Sequence, residues 1–129
     1  MGKDLTRYSL YTAIHIASLF VAPNSHAQNA IGDTVRAEEY VKKAWESYLQ
    51  VEYDSSIFLY RRAADIFVKA ERWERYVHCL NIIGDCYSRE LRLDSMEVIL
   101  QRARKLGEET LEPDNIECAL TYSLLGLLY

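Results

Sequence analysis

One glycine lies inside an apolar, helix-like run of this chain. Residues 80–87 read LNIIGDCY, with Gly84 in the middle. Glycine in a helix interior costs roughly 1 kcal/mol relative to alanine, so close packing at this position should offset that cost. A second copy, SLLGLLY at residues 123–129, places Gly126 three residues before a tyrosine, as Gly84 lies before Tyr87. The stretch is therefore repeated.

The recurrence extends well beyond the glycines. The sequence numbers of Gly84 and Gly126 differ by 42, and those of Ala44 and Gly84 differ by 40. Three further pairs share the spacing of 40: Ser56 and Met96, Tyr60 and Leu100, and Ala63 and Ala103. Small residues with apolar neighbours three and four positions away place a close contact on one stripe of a helix. The sequence therefore predicts repeated helix pairs whose first helices carry Ala44, Gly84 and Gly126.

The second helices of these pairs are predicted from apolar residues at three- and four-residue spacing over residues 53–70 and 93–107. Asp54 and Asp94, each followed by serine, are the predicted N-caps of these helices. Gly107 is the predicted C-terminal stop of the later one. Because the alternation typical of strands is absent, the predicted fold is all-α and built from antiparallel helix pairs.

This pattern resembles the tetratricopeptide repeat (TPR), in which W-x2-L-G-x2-Y on one helix is followed by A-x3-F-x2-A on its partner. In the second repeat the matching residues are Leu80, Ile83, Gly84, Tyr87, Met96, Leu100 and Ala103. The first repeat is degenerate at the polar Lys43 and Ser47, and the third begins at Tyr122 and stops at Tyr129. The repeat spacing of 40 to 42 resembles the longer, kinesin-light-chain type of repeat.

The resemblance implies an α-solenoid, a TPR-like right-handed superhelix, over residues 37–129 with about two and a half repeats. Residues 28–36 are then a linker. Because the chain stops within the first helix of a pair, we expect the array to be truncated here and to continue past Tyr129.

Residues 1–27 are predicted to be a signal peptide. Lys3 and Arg7 give a positive start, an apolar run follows over residues 8–22, and Ser25 and Ala27 place small residues before a cleavage site. This favours an exported, periplasmic or secreted bacterial protein, while an N-terminal helix on a cytoplasmic protein is the alternative. The apolar run is too short to span a bilayer comfortably, so no stable membrane span is expected after signal removal.

Charge and cysteine content exclude several classes of function. The net charge is −4 and there is no block of basic residues, so nucleic-acid binding is not expected. Cys79 and Cys86 would lie about 10 Å apart on one helix, beyond disulfide reach, and with Cys118 they are predicted to be small core residues. The mature chain retains only His78, so we predict no metal site and no cofactor.

Candidate catalytic groups are few. His78 and Asp85 lie seven residues apart and could share a helix face, but the adjacent Cys79 points elsewhere on the helix, so the sequence places no nucleophile in contact with them. Trp45 and Trp73 are predicted to be packing residues. The sequence therefore predicts a protein that is not an enzyme.

The resemblance implies protein binding, because the first helices of successive pairs line a concave groove that holds a peptide or a partner's helix. The positions that correspond to groove-lining ones are His78, Asn81, Asp85, Ser88 and Arg89. Asn81 lies where longer repeats often carry an asparagine that bonds a peptide backbone, so Asn81→Ala should weaken partner capture and leave stability unchanged. An ordinary solvated face with an Asp85–Arg89 ion pair is the alternative. We expect a protein or peptide partner, and self-association stays open.

A second function comes from the run WERYVHCLNIIGDCY that begins at Trp73. After an export signal, it resembles the N-terminal repeats of bacterial proteins that end in a CHAT domain, a caspase-like peptidase. Similar arrays also precede sensor kinases. The resemblance thus implies an alternative in which this chain is the regulatory or substrate-selecting arm of a larger enzyme.

Overall fold

The computed structural model of the protein describes residues 25–129. Within these residues every regular element is an α-helix, and the helices in chain order are α1 Ser25–Leu49, α2 Tyr53–Lys69, α3 Trp73–Arg89, α4 Leu93–Thr110 and α5 Ile116–Gly126. Neighbouring helices pack together, with α3 in contact with α2, α4 and α5. The all-α class predicted from the sequence is confirmed.

The predicted signal peptide, residues 1–27, lies outside the described residues except for its last three positions, and its cleavage stays a prediction. Residues 28–36, predicted to be a linker, are helical and belong to α1. The chain divides into two compact units between Ile31 and Gly32. Residues 32–129 form the second unit.

Three equivalent turns connect the first four helices. Val51, Glu71 and Leu91 recur at a regular spacing of 20, and each adopts the left-handed region, with φ values of 64°, 53° and 57°. In the first turn the N–H of Glu52 donates to the carbonyl of Ser47 at 2.9 Å, and both later turns repeat this bond. This is the Schellman arrangement, which satisfies carbonyls at the end of a helix. Each following helix begins two residues after the left-handed residue of its turn. Helices α2, α3 and α4 therefore begin at equal intervals along the chain.

The predicted N-caps are wrong by two residues. The N-cap positions of α2 and α4 are Glu52 and Arg92, and neither makes a side-chain capping bond. Asp54 and Asp94 lie in the first helical turn instead, where a carboxylate favours the positive end of the helix dipole. The preceding Schellman turn fixes the helix start, so no capping side chain is needed to define it.

Gly107 does not end α4, contrary to the prediction, because the helix continues to Thr110. The residue is buried, and a Cβ added there would lie 3.0 Å from Sγ of Cys118 on α5. None of the glycines among residues 25–129 has a positive φ. Gly107 therefore serves close approach between two helices rather than helix termination.

Gly84 has the close contact that the sequence predicts. A Cβ at this position would lie 2.5 Å from Cδ2 and 2.8 Å from Cγ of Leu100 on the paired helix α4. At the matching position of the first pair, the Ser56 hydroxyl donates to the Ala44 carbonyl at 2.9 Å. The positions that recur with a spacing of 40 are buried in both copies: Ala44, Ser56, Tyr60 and Ala63, and Gly84, Met96, Leu100 and Ala103.

Candidate functional site

All five predicted site residues lie on α3, and the structure places four of them in two clusters. His78 and Asn81 face α5 in a polar network with Glu117 and Thr121. Asp85 and Arg89 join Trp45 and Tyr48 of α1 in what we term the aromatic–ionic cluster. The five predicted residues are His78, Asn81, Asp85, Ser88 and Arg89.

The polar network fully uses the side chain of Asn81. Its Nδ2 donates to the carbonyl and to Oε2 of Glu117, each at 3.0 Å, and its Oδ1 accepts from the Thr121 hydroxyl at 2.6 Å. His78 Nδ1 lies 2.9 Å from Oε1 of the same carboxylate. Because an ionised carboxylate only accepts hydrogen bonds, Nδ1 of His78 carries the proton.

The N-cap of α5 fixes the position of Glu117 in the polar network. The Asn115 side chain accepts a hydrogen bond from the Glu117 N–H at 2.9 Å and caps α5, so Glu117 lies in the first turn. Burial raises the pKa of Glu117, but hydrogen bonds from His78 and Asn81 outweigh it and hold the pKa below its ordinary value. The carboxylate is therefore ionised and satisfied at neutral pH.

Asn81 is not on an open face, contrary to the prediction. It is fully buried because α5 covers it, and its donors and acceptor are all bonded within this chain. Sequence reasoning missed Glu117 and Thr121. The available signal was Thr121 itself, a polar residue in an apolar helix, because a buried hydroxyl needs a partner.

The aromatic–ionic cluster bridges α1 and α3 around the Asp85 carboxylate. The Tyr48 hydroxyl donates to Asp85 Oδ2, and Arg89 Nε donates to the same oxygen at 3.1 Å. The Arg89 guanidinium lies 5.3 Å from the centroid of the Tyr48 ring. The Trp45 ring stacks on Tyr48 at a centroid distance of 5.0 Å and an interplanar angle of 8°. Each of these side chains is oriented by another.

Electrostatics keeps this cluster in one protonation state near neutral pH. Burial, and then the hydrogen bond to Asp85, raise the pKa of Tyr48 to about 12. The same carboxylate raises the pKa of Arg89 through its hydrogen bond and its charge. Tyr48 therefore remains a donor and Arg89 a cation. Because a guanidinium carries five N–H donors, Arg89 can still bind a second acceptor.

The cluster is open to solvent at its aromatic and basic ends. Trp45, predicted to be a packing residue, is 44% exposed, and half of the Arg89 side chain is accessible. Ser88 is half-buried beside Arg89, and its carbonyl accepts the turn bond from the Leu91 N–H at 3.0 Å. The sequence did not indicate Tyr48, because its contact with Asp85 joins residues that are distant along the chain.

A second contact links α1 to α3 nearer their other ends. Arg75 binds Glu38 through Nε at 2.8 Å and through a terminal nitrogen at 2.5 Å. The Arg75 guanidinium also lies 5.5 Å from the ring centroid of Phe67. This forked geometry fixes the register of the two helices, although both partners are partly exposed.

The cysteines are free and buried, which confirms them as small core residues. Burial raises the pKa of Cys79 to about 12 and that of Cys86 to about 11, so both thiols are protonated at neutral pH. No cluster of three or more potential metal-binding side chains occurs among residues 25–129. Over the same residues, no helix has the length and apolar character needed to cross a membrane.

Comparison with known proteins finds no match: no family model, no curated protein and no solved structure is similar to this chain. The function proposed below is therefore inferred from these residues and from the repeat pattern.

Proposed function

We propose that this protein is a non-catalytic scaffold that binds a peptide or protein partner on the surface formed by its first helices. The observation that supports this most is the aromatic–ionic cluster. It presents an exposed tryptophan and an exposed arginine, each held by a neighbour on its own helix. Those neighbours, Tyr48 and Asp85, are hydrogen-bonded to each other across α1 and α3.

Tryptophan, tyrosine and arginine are the residue types that carry most of the energy in protein interfaces. Trp45 and Arg89 are already oriented before any partner arrives, through Tyr48 and Asp85 respectively. Binding would therefore cost little additional side-chain entropy. The chemistry favours a partner with an apolar side chain for Trp45 and a nearby carboxylate or carbonyl for Arg89.

The wider architecture in this proposal is a TPR-like right-handed superhelix with the partner in its concave groove. Three equal turns at a regular spacing and the shared environment of recurring positions support repeated hairpins. The proposed setting is an exported bacterial protein. Protonated, buried thiols and a His78 ring engaged by Glu117 support a role without catalysis.

Selection of peptides from a displayed random library on the full-length chain tests this function. Selected peptides should bind Trp45→Ala and Arg89→Ala at least about tenfold more weakly than the unchanged protein. Phe58→Ala and Arg104→Ala are matched controls, because they remove an exposed aromatic and an exposed basic residue from second helices. Equal binding by all four variants, with circular dichroism unchanged, would refute the proposal.

A further inference from the structure

Helices α2 and α4 are separated by a groove whose floor is α3. Both helices pack against α3, and between them lie two adjoining clefts with volumes of about 310 and 340 Å³. Arg61 of α2 and Ile99 of α4 line both clefts, so the two form one groove, which we name the α2–α4 groove. Its floor residues, all on α3, are Tyr76, Leu80, Ile83 and Tyr87.

The α2–α4 groove is open although every helix that borders it is in place. Helices α2, α3 and α4 lie within the array, and α5 follows them in residues 25–129. From Tyr76 to Tyr87 the floor rises by about 16 Å, at about 1.5 Å per helical residue. An extended chain covers this distance with about five residues, at about 3.3 Å each. The groove therefore suits a short extended peptide better than a compact small molecule.

Two guanidinium groups in this groove have aromatic neighbours and no carboxylate partner. Nη2 of Arg61 donates to the Tyr87 hydroxyl at 2.5 Å, and the Arg102 guanidinium lies 5.6 Å from the ring centroid of Tyr76. Within residues 25–129, neither group is at ion-pair distance from a carboxylate. Because a guanidinium carries five N–H donors, both can still bind an incoming acceptor.

Asp65 and Asp94 also line the groove, but each has a positive group of its own nearby. Asp65 acts on the guanidinium of Arg62, which lies on the same helix. Asp94 lies in the first turn of α4, where the helix dipole is positive. The charge that remains without a counter-charge in the groove is therefore the positive charge of Arg61 and Arg102.

We propose that the α2–α4 groove binds a short, extended, acidic segment of a partner protein. Carboxylates of this segment would accept hydrogen bonds from Arg61 and Arg102, and the apolar side chains between them would lie on Ile83 and Ile99. The groove does not include the aromatic–ionic cluster, so this inference does not depend on the proposed function.

The chain's own segments fit this groove less well. Residues 1–24 contain Lys3 and Arg7 and a single acid, Asp4, so their net charge has the same sign as that of the two guanidinium groups. The acidic segment 108–114 begins within α4, and the Asn115 N–H donates to the Glu112 carbonyl in the turn that follows. A second copy would therefore present this segment as a helix end and a turn, not as an extended chain.

The test uses the full-length chain and a labelled peptide, acetyl-Leu-Glu-Leu-Glu-Leu-amide, as the probe. Fluorescence anisotropy should show saturable binding with one peptide per chain. Arg61→Gln and Arg102→Gln should each weaken this binding at least about fivefold, because each removes a charged donor. The same peptide with glutamine in place of both glutamates should show no saturable binding.

Arg62→Gln on α2 and Arg104→Gln on α4 are the matched controls, because both arginines are exposed and neither lines the groove. Circular dichroism would check that all four variants fold. Absence of saturable binding by the glutamate peptide would overturn the inference, and so would equal binding by the groove variants and the controls. Sedimentation showing a dimer of the chain that Arg61→Gln abolishes would also overturn it, in favour of a second copy.

Discussion

Helices α3 and α5 carry the same residue pattern and have opposite surroundings. Gly84 on α3 lies under the Leu100 side chain, whereas Gly126 on α5 faces open space. The pattern thus specifies the shape of a helix surface, and the presence of a neighbouring helix decides whether that surface is buried or exposed in residues 25–129. We therefore expect that replacing Gly84 by a larger residue destabilises the fold, whereas the same replacement at Gly126 does not.

Polar residues show the same contrast. Asn81 on α3 is fully buried and bonded to α5, while Ser123, its counterpart in the next repeat, is exposed. Asn81 of α3 is covered by α5, so its hydrogen bonds join these two helices and stabilise the fold.

Gly84→Leu should lower the free energy of unfolding by about 3 kcal/mol, because the new side chain overlaps Leu100, which is itself fully buried. Urea denaturation of the full-length chain measures it. Gly126→Leu is the matched control and should stay within about 0.5 kcal/mol of the unchanged protein. Equal losses for the two variants would contradict the contrast between α3 and α5.

Asn81→Ala should cost about 2 kcal/mol, because it removes both hydrogen bonds that Nδ2 donates to Glu117 and leaves Oε2 of that carboxylate without this donor, while the Thr121 hydroxyl keeps the Glu117 carbonyl as an acceptor. This reverses the expectation from sequence that the replacement would leave stability unchanged. Ser123→Ala, at the equivalent exposed position, should have no measurable effect on the urea midpoint. A stable Asn81→Ala variant would return Asn81 to the candidate binding residues.

Much of the fold could be predicted because it depends on local periodicity. The recurrence of Ala44, Gly84 and Gly126 indicated the helix pairs, and the apolar spacing placed α2 and α4 within a few residues. The ends of helices were less predictable. The left-handed turns at Val51 and its two equivalents involve no glycine, and Gly107 proved to be a packing residue.

The candidate site was predicted only in part because its contacts join distant residues. Helical spacing correctly paired Asp85 with Arg89 four residues later. It could not reveal that Tyr48 shares that carboxylate, or that Glu117 and Thr121 bury Asn81, since these contacts depend on how α1 and α5 pack on α3. A single sequence does not show which distant residues pack against each other.

Acid should weaken the α3–α5 contact selectively. The folded pKa of Glu117 lies below its ordinary value of 4.5, so its stabilising contribution is fully present above about pH 4.5 and is lost as pH falls through the folded pKa. His78 and Arg75 are the basic groups that act on it. The stability difference between the unchanged chain and Glu117→Gln should therefore shrink from about pH 7 to about pH 3. Glu109→Gln, at an exposed position on α4, should show no such change.

The smallest effect is expected at Asp85 of α3, whose side chain is 21% exposed and accepts a hydrogen bond from α1. Asp85→Asn removes the charge that Arg89 faces but keeps an oxygen that can accept from the Tyr48 hydroxyl. Half of the Arg89 side chain is exposed, so solvent screens this pair and its loss should cost only about 0.5 kcal/mol. The difference should decrease further in about 0.5 M salt, since the Debye length is then a few ångströms. A loss as large as that of Asn81→Ala would mean that the aromatic–ionic cluster supports the fold as the polar network does, and its residues would no longer be free to serve a partner.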